Sequence, residues 1–475
     1  MSEIAMSEIR FTLNGEGVTA RDFDPHVTLL AWLRERGLTG TKEGCAEGEC
    51  GACAVVLVRP RHDGRTVFYP VNACLLLLGS CADQEILTVE GVRDRQLHPV
   101  QEAMVRLGGS QCGYCTPGFV MSLFAEHYRP ERATEGFDEE SIAGNLCRCT
   151  GYRPIREAGK SLPRVAPGDA HADRLSLPAP VLRSLSYEHK FYRPSSLAEA
   201  LAIRTADPEL TIVCGGTDLV VEANQRHRRF PGLLSLELVK EMLRIDETEG
   251  AITIGASVPL SEVEARLRTK VPIFGQLLSL FSSRLIRNRA TLGGNLCTAS
   301  PIGDSPPVLL ALRAEVVLAS ARGERVVPLD DFFTGYRQTA LAKDELMVAV
   351  RVPLPVAPIA RFYKVSKRHH DDISSVAAGF ALDIRKAKVH SARLAYGGVA
   401  ATPARATEAE AHLIGKPWSE ATMKSTLPLL ARAFAPMTDQ RASAEYRAAM
   451  VPRLFEKLWI DTGSEVGSDA AGGAP

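Results

Sequence analysis

The sequence predicts a multidomain α+β protein. Three observations carry that prediction. The 475 residues exceed what a single core usually holds, so three or four domains are expected. Eight of the eleven cysteines fall in two groups of different spacing, both in the first third of the chain. Beyond residue 190, strand patterns ending in glycine-rich turns are mixed with amphipathic helical stretches.

Composition narrows the functional classes. Lys+Arg and Asp+Glu number 56 each, so the net charge is zero and neither nucleic acid nor an anionic membrane is expected as a partner. Apolar residues make up 45%, enough for several cores. The uninterrupted leucine run Leu75 to Leu78 is far too short to span a membrane. The N-terminus repeats Met-Ser-Glu-Ile, offering Met1 and Met6 as starts, and lacks the apolar centre of a secretory signal. The cytoplasm is therefore expected. In that reducing compartment grouped cysteines are metal ligands more often than disulfides.

The first elements follow from local pattern. Ile9, Phe11 and Leu13 alternate up to Asn14-Gly15, the signal of a hairpin. Gly15-Glu-Gly-Val-Thr-Ala20 also fits a loose G-x-G-x-x-A, but a second strand suits it better than a nucleotide loop. Thr28 to Arg36 reads as a helix with Leu29, Leu30 and Leu33 inward, and 54–58 and 66–69 as strands.

Between helix and strands lies the first cysteine group, Cys45, Cys50, Cys53 and then Cys74. Its loop is rich in glycine, which permits tight turns and brings backbone N–H groups close to sulfur. C-x4-C-x2-C with a later cysteine is the spacing of plant-type [2Fe–2S] proteins. Zinc, which favours paired C-x2-C knuckles, fits it poorly. The second group is Cys112 and Cys115, then Cys147 and Cys149. It lies among helices expected at 98–107, 116–128 and 138–144, with Thr116 as N-cap and Pro117 at the first position. A helix N-terminus beside Cys115 favours thiolates. The C-x-C pair suits a compact cluster, with zinc as the alternative occupant. Cys81, Cys214 and Cys297 are read as buried small apolar residues.

A proline-bearing linker is expected at 163–184. A serine-capped helix follows around Leu197, then a strand entering Gly215-Gly216-Thr217-Asp218. Such a turn can present N–H groups to a phosphate or serve only as a turn. Thr291-Leu292-Gly293-Gly294-Asn295 is a second turn of the same kind. Two of them without a Walker sequence suggest a dinucleotide held outside the two common nucleotide folds. Strands at 373–384 and 388–396 precede helices at 408–414, 419–433 and 440–457. The Gly- and Ala-rich end, 463–475, is expected to be disordered. His369-His370-Asp371-Asp372 reads as a polar loop rather than a metal cluster, because adjacent residues rarely ligate one ion together.

Gly40–Cys53, Gln111-Cys-Gly-Tyr-Cys-Thr-Pro-Gly118 and Gly144-Asn-Leu-Cys-Arg-Cys-Thr-Gly-Tyr-Arg-Pro154 resemble the iron–sulfur domains of the molybdenum hydroxylases. The two later glycine turns resemble the FAD domain of the same family, in the same order. The resemblance implies a β-grasp plant-type ferredoxin domain at 6–91 and a four-helix [2Fe–2S] domain at 92–162. It also implies an α+β FAD-binding domain at 185–356 and a small α+β flavoprotein C-terminal domain at 357–462. It implies that Ile212, Val213, Cys214, Gly215, Gly216, Thr217, Asp218 and Leu219, with Thr291, Leu292, Gly293, Gly294 and Asn295, embrace the FAD pyrophosphate. Phe281 is implied to pack near the flavin, Asp304 to bond the cofactor's polar end, and Lys364 and Met347 (or Leu346, one residue away) to contact flavin. Without the resemblance, Lys364 and Lys367 read equally well as a solvated strand edge.

No nucleophile–base motif emerges, so the chemistry belongs to cofactors. The closest resemblance is to the iron–sulfur/FAD small subunit of the family's bacterial xanthine dehydrogenases. It implies electron transfer from a molybdopterin-binding large subunit through two [2Fe–2S] clusters to FAD and NAD+, during hydroxylation of hypoxanthine and xanthine. A heterotetramer of two small and two large subunits is implied. Another hydroxylase subunit, acting on an aldehyde or N-heterocycle, is the nearer alternative. A zinc-stabilised binding scaffold is the remoter one.

Overall fold

The computed structural model describes residues 7–93, 96–188 and 190–471, with 463–471 described as helical backbone only. The chain forms two compact units. The first comprises Met1–Lys240, Pro259–Glu262 and Ser282–Thr291; the second comprises Glu241–Val258, Val263–Phe281 and Leu292–Pro475. The span 185–356, expected as one domain, thus contributes to both.

The first unit begins with β1 (Glu8–Leu13) and β2 (Glu16–Arg21), paired antiparallel. Asn14 and Gly15 both take positive φ, as a tight hairpin requires. Helix α1 (Leu29–Glu35) is N-capped by the Thr28 hydroxyl. Strands β3 (Ala54–Pro60), β4 (Thr66–Asn72) and β5 (Glu85–Leu87) complete a five-stranded sheet in the order β2-β1-β5-β3-β4. Its one parallel pair is β1 with β5. Ile9, Phe11 and Leu13 bury against Leu29, Leu30 and Leu33, as their alternation predicts.

Next come α2 (Pro99–Arg106), α3 (Thr116–His127), α4 (Arg132–Glu135), α5 (Arg153–Lys160) and α6 (Ala170–Leu175). Helix α3 is buried from Gly118 to His127, as a central helix must be when it is apolar on most sides. Three expectations need correction here. The N-cap of α3 is Cys115, and Thr116 is its first helical residue. The helix expected at 138–144 is a single 3-10 turn, Glu139–Ile142, because the chain must leave it at once to reach Cys147. The linker contains α6, whose N-cap Asp169 accepts the Tyr128 hydroxyl at 2.9 Å. Too short for a periodic signature, α6 is held by that contact and by packing of Ala172 and Leu175 on the helical core.

Strands β6 (Leu185–Tyr187), β7 (Phe191–Arg193), β8 (Thr211–Val213) and β9 (Leu233–Ser235) form a second sheet in the order β6-β7-β9-β8. Its helices are α7 (Leu197–Ala206), capped by Ser196, and α8 (Leu219–Gln225).

The second unit holds a five-stranded and a four-stranded sheet. One is antiparallel: β10 (Ile245–Glu247), β11 (Ala251–Gly255), β12 (Glu315–Ser320), β13 (Gly323–Pro328) and, after the small hairpin β14 (Phe333–Gly335) and β15 (Gln338–Thr339), β16 (Leu346–Pro353). Its order is β10-β11-β16-β12-β13. The other joins β17 (Ile359–Val365), β18 (Val376–Arg385), β19 (Lys388–Gly397) and β20 (Ala404–Arg405) in sequence. Helices Thr407–Leu413, Glu420–Ala431 and Ala444–Ala471 follow. The last continues as helical backbone over 463–471, part of the tail expected to be disordered. Extending an established helix adds one bond per residue ordered, so a weak sequence can continue it. Residues 472–475 lie outside the described residues.

Candidate functional site

The thiols of the first group interact as two pairs. Cys45 is hydrogen-bonded to Cys50, and Cys53 to Cys74. Sharing one proton with Cys50 holds the Cys45 thiol down to about 5 and pushes Cys50 up. Cys74 is raised by its bond with Cys53 and by burial. The N–H groups of Glu47 and Cys50 donate to the Cys45 sulfur at 3.5 and 3.3 Å. A Cβ at Gly44 would lie 2.7 Å from the Cys50 sulfur, so the loop closes tightly around its thiols.

The second group repeats the pairing, with Cys112 bonded to Cys149 and Cys115 to Cys147. The Tyr114 N–H and the Cys149 thiol lower Cys112, in line with its place before α3. Burial, then the Cys147 thiol, pushes Cys115 up to about 12 and overrides the helix terminus. Burial opposes ionisation of Cys147, but the Thr150 hydroxyl at 3.0 Å and its N–H at 3.4 Å outweigh it. Cys53 and Cys74 are buried, whereas Cys112 and Cys149 are exposed.

The donor set fits two irons per group. Each iron of a [2Fe–2S] cluster takes two thiolates, and each group offers two thiol pairs. Among the described residues, no three His, Cys, Asp or Glu side chains are grouped as ligands of a single ion.

The two cysteine loops touch through their backbones. The Leu146 N–H donates to the Cys50 carbonyl at 3.0 Å, and the Asn145 amide to the Gly51 carbonyl at 3.1 Å. Gly51 has φ +64°, and a Cβ there would overlap the Gly144 carbonyl oxygen. On its other side the first loop is fastened to α8. Asn224 donates to the carbonyls of Ala46 and Cys74, both at 2.9 Å, and Gln225 to that of Cys45 at 2.6 Å. Asn145, Asn224 and Gln225 were missed from sequence, since amides bonding a remote backbone leave no periodic signal.

The expected FAD contacts fall in both units. In the first, Ile212 and Val213 end β8, Cys214, Gly215, Gly216 and Thr217 form the turn, and Asp218 and Leu219 open α8. Gly216 has φ +76°, which explains the glycine. Thr291 pairs with Pro259 in an isolated bridge. In the second, Leu292, Gly293, Gly294 and Asn295 lie in helix Leu292–Cys297, which packs on β16, the strand carrying Leu346 and Met347. Asn295 accepts the Ser305 hydroxyl at 2.5 Å. Phe281 caps helix Pro272–Leu280. The Lys364 ammonium donates to Asp304 and to the Leu280 carbonyl, both at 2.8 Å, and Ser374 donates to Asp304 at 2.5 Å. Lys364 is 2% exposed, so it is no solvated strand edge, whereas Lys367 is exposed. Ser374 was not anticipated. Cys81 is buried as expected, but Cys214 is half-buried and Cys297 exposed. Cys297 follows the buried Leu296, and adjacent helical residues point apart.

Four family descriptions match the chain. They are a 2Fe-2S iron-sulfur cluster binding domain at 11–78 and a [2Fe-2S] binding domain at 88–160. An FAD binding domain in molybdopterin dehydrogenase matches 185–355, and a CO dehydrogenase flavoprotein C-terminal domain matches 361–462. The chain belongs to the molybdenum hydroxylase family. Its matched regions are two [2Fe–2S] domains, an FAD-binding domain and a flavoprotein C-terminal domain, in a multidomain α+β fold. Xanthine dehydrogenase of Emericella nidulans is 32% identical over 96% of this chain and 39% of its own length. Xanthine dehydrogenase/oxidase of Gallus gallus is 31% identical over 98% of this chain and 41% of its own. The chain thus spans about two fifths of these relatives. Solved molybdenum hydroxylase structures align over part of it. Quinoline 2-oxidoreductase from Pseudomonas putida 86 has a TM-score of 0.55 and 27% identity, covering 58% of this chain and 97% of that one. Carbon monoxide dehydrogenase from Hydrogenophaga pseudoflava gives 0.54 and 26%, covering 56% and 94%. Among the described residues no helix is long and apolar enough to cross a membrane.

Proposed function

We propose that this chain is the electron-transfer small subunit of a cytoplasmic xanthine dehydrogenase. The polarity of the two cysteine groups carries the reading: one is exposed at two of its thiols, the other is fastened to α8 beside the glycine turn. Cys112, Cys115, Cys147 and Cys149 hold the cluster that receives electrons from a molybdopterin-binding partner. Cys45, Cys50, Cys53 and Cys74 hold the cluster that passes them on to FAD. Cys45 with Cys50, and Cys53 with Cys74, would supply the four thiolates of that cluster. When bound, these groups supply single-electron steps and, at the flavin, hydride transfer to NAD+. The residues proposed to contact FAD are 212–219, Phe281, Thr291, Leu292–Asn295, Asp304, Met347 and Lys364. Purine oxidation is supported by the xanthine dehydrogenase relatives, which match nearly the whole chain.

The test is co-purification with a molybdopterin-binding subunit, two of each in the complex, followed by NAD+ reduction on xanthine, an aldehyde and quinoline. Xanthine turnover with NADH formation is expected. Turnover of quinoline or an aldehyde alone would remove the substrate and leave the relay. Zinc in place of iron and acid-labile sulfide would defeat the relay itself.

A further inference from the structure

One buried charge pair lies directly against the glycine turn. Glu237 and Arg289 meet at 2.7 Å with side chains 6% and 7% exposed. The Arg289 guanidinium also donates through Nε to the Gly215 carbonyl at 3.4 Å. Gly215 is pressed so closely on the Arg289 backbone that a Cβ would overlap its carbonyl oxygen. Arg193 and Arg59 act on Glu237 as well, so its carboxylate sits among cations.

A peptide unit is planar and trans, so its carbonyl and the following N–H point in opposite directions. Drawing the Gly215 carbonyl toward Arg289 therefore aims the Gly216 N–H the other way. Two adjoining glycines, the second at φ +76°, have little intrinsic resistance to reversing that peptide. Reversed, the unit would present a carbonyl, which repels a phosphate, instead of a donor that binds one.

We infer that Arg289, oriented by Glu237, is a positioning residue that fixes the Gly215–Gly216 peptide with its N–H toward the FAD diphosphate. The inference rests on the proposed FAD binding and concerns only the diphosphate. It therefore separates affinity for FAD from affinity for riboflavin, which has no phosphate.

The test uses the full chain, stripped of flavin and re-titrated with FAD and with riboflavin by fluorescence quenching. Arg289→Met alone removes the 2.7 Å partner of the buried Glu237, which endangers folding. The double variant Arg289→Met/Glu237→Gln removes both charges together and so leaves the net charge around Arg193 and Arg59 unchanged. Iron and sulfide content reports an intact first unit. In the double variant the Kd for FAD is expected to rise at least tenfold, with that for riboflavin within twofold of the parent. Arg289→Lys keeps the charge on a less directional donor and should recover part of the loss. An unchanged FAD affinity in the double variant overturns the inference, as does an equal loss for FAD and riboflavin. A parent chain that binds no FAD would sink the functional reading, and this inference with it.

Discussion

The two cysteine groups hold the same four ligands and are built in opposite ways. The first is wrapped by a loop hung between a helix and a five-stranded sheet, and two of its thiols are buried. Its carbonyls are tied down by Asn224 and Gln225. The second is set at the end of α3, with two thiols and Tyr114 exposed. A buried site can be held by its surroundings even without metal. An exposed one depends on its own turns and on what covers it. The difference teaches that ligand spacing specifies chemistry, whereas packing specifies which end of a relay faces inward.

Cysteine substitution should break that symmetry most strongly. Cys74→Ser is expected to empty the first site, removing about half of the iron, and to weaken the first unit by several kcal/mol, on the order of the coupling of a structural metal to folding. FAD should be lost in part as well, because the loosened cysteine loop is tied through Asn224 and Gln225 to α8, which follows the glycine turn. Cys149→Ser should remove a similar share of iron with little change in melting temperature. Iron assays, flavin content and thermal unfolding of both variants make the comparison. Equal destabilisation would mean that burial does not distinguish the sites.

Glycines inside the two C-x2-C segments give a finer contrast. Gly51 and Gly113 both have positive φ, but only Gly51 is pressed against another backbone. Gly113→Ala should cost about 1 kcal/mol, from conformation alone. Gly51→Ala adds an overlap that forces the two cysteine loops apart, so about 3 kcal/mol or more is expected. Slower electron exchange between the clusters should accompany it. Denaturant unfolding and rapid reduction kinetics measure both effects, and matched values would show that the loop contact is incidental.

Much of this was legible in the sequence because it is local. Alternation at Ile9, Phe11 and Leu13 gave the hairpin, and cysteine spacing gave both groups. What the sequence hid is the ties between remote segments. Arg284 and Arg287 each meet an acid of the helical region, Asp138 and Glu140, and Arg289 meets Glu237. Three arginines in six residues carry no local sign of a partner. Each is committed by a partner some fifty to a hundred and fifty positions away, which no periodicity encodes. Helix α6 was hidden likewise, since its stability comes from Tyr128 and the helical core rather than from its own six residues. Asp169→Ala removes both its cap and its bond to Tyr128. It is expected to cost about 1 kcal/mol, seen as earlier proteolysis near Asp169.

Acid should bring out the same contrast most gently. The Tyr128 hydroxyl that bonds Asp169 also meets His98 Nε2 at 2.8 Å, with His127 and His171 packed alongside. Burial, then the neighbouring His127 and His171, lowers His98 to about 3, and burial, then Arg132, lowers His127 to about 4. Both histidines are therefore neutral in the fold at pH 6, while unfolded histidine titrates near 6.5. As pH falls below that value the unfolded chain takes up protons that the fold refuses. Stability falls with them, by up to about 1.4 kcal/mol per pH unit for each histidine, until the folded values are passed. Above about pH 7 these two groups contribute no slope. The strain lies in the helical domain, so acidification from pH 7 to 5 should release the Cys112 cluster before the Cys45 cluster. Separate electron paramagnetic resonance signals of the two reduced clusters would follow the order. His98→Asn, which keeps a capping side chain but does not titrate, should flatten the slope and delay the loss. Release of the Cys45 cluster first would show that exposure and buried histidines do not set the weaker end.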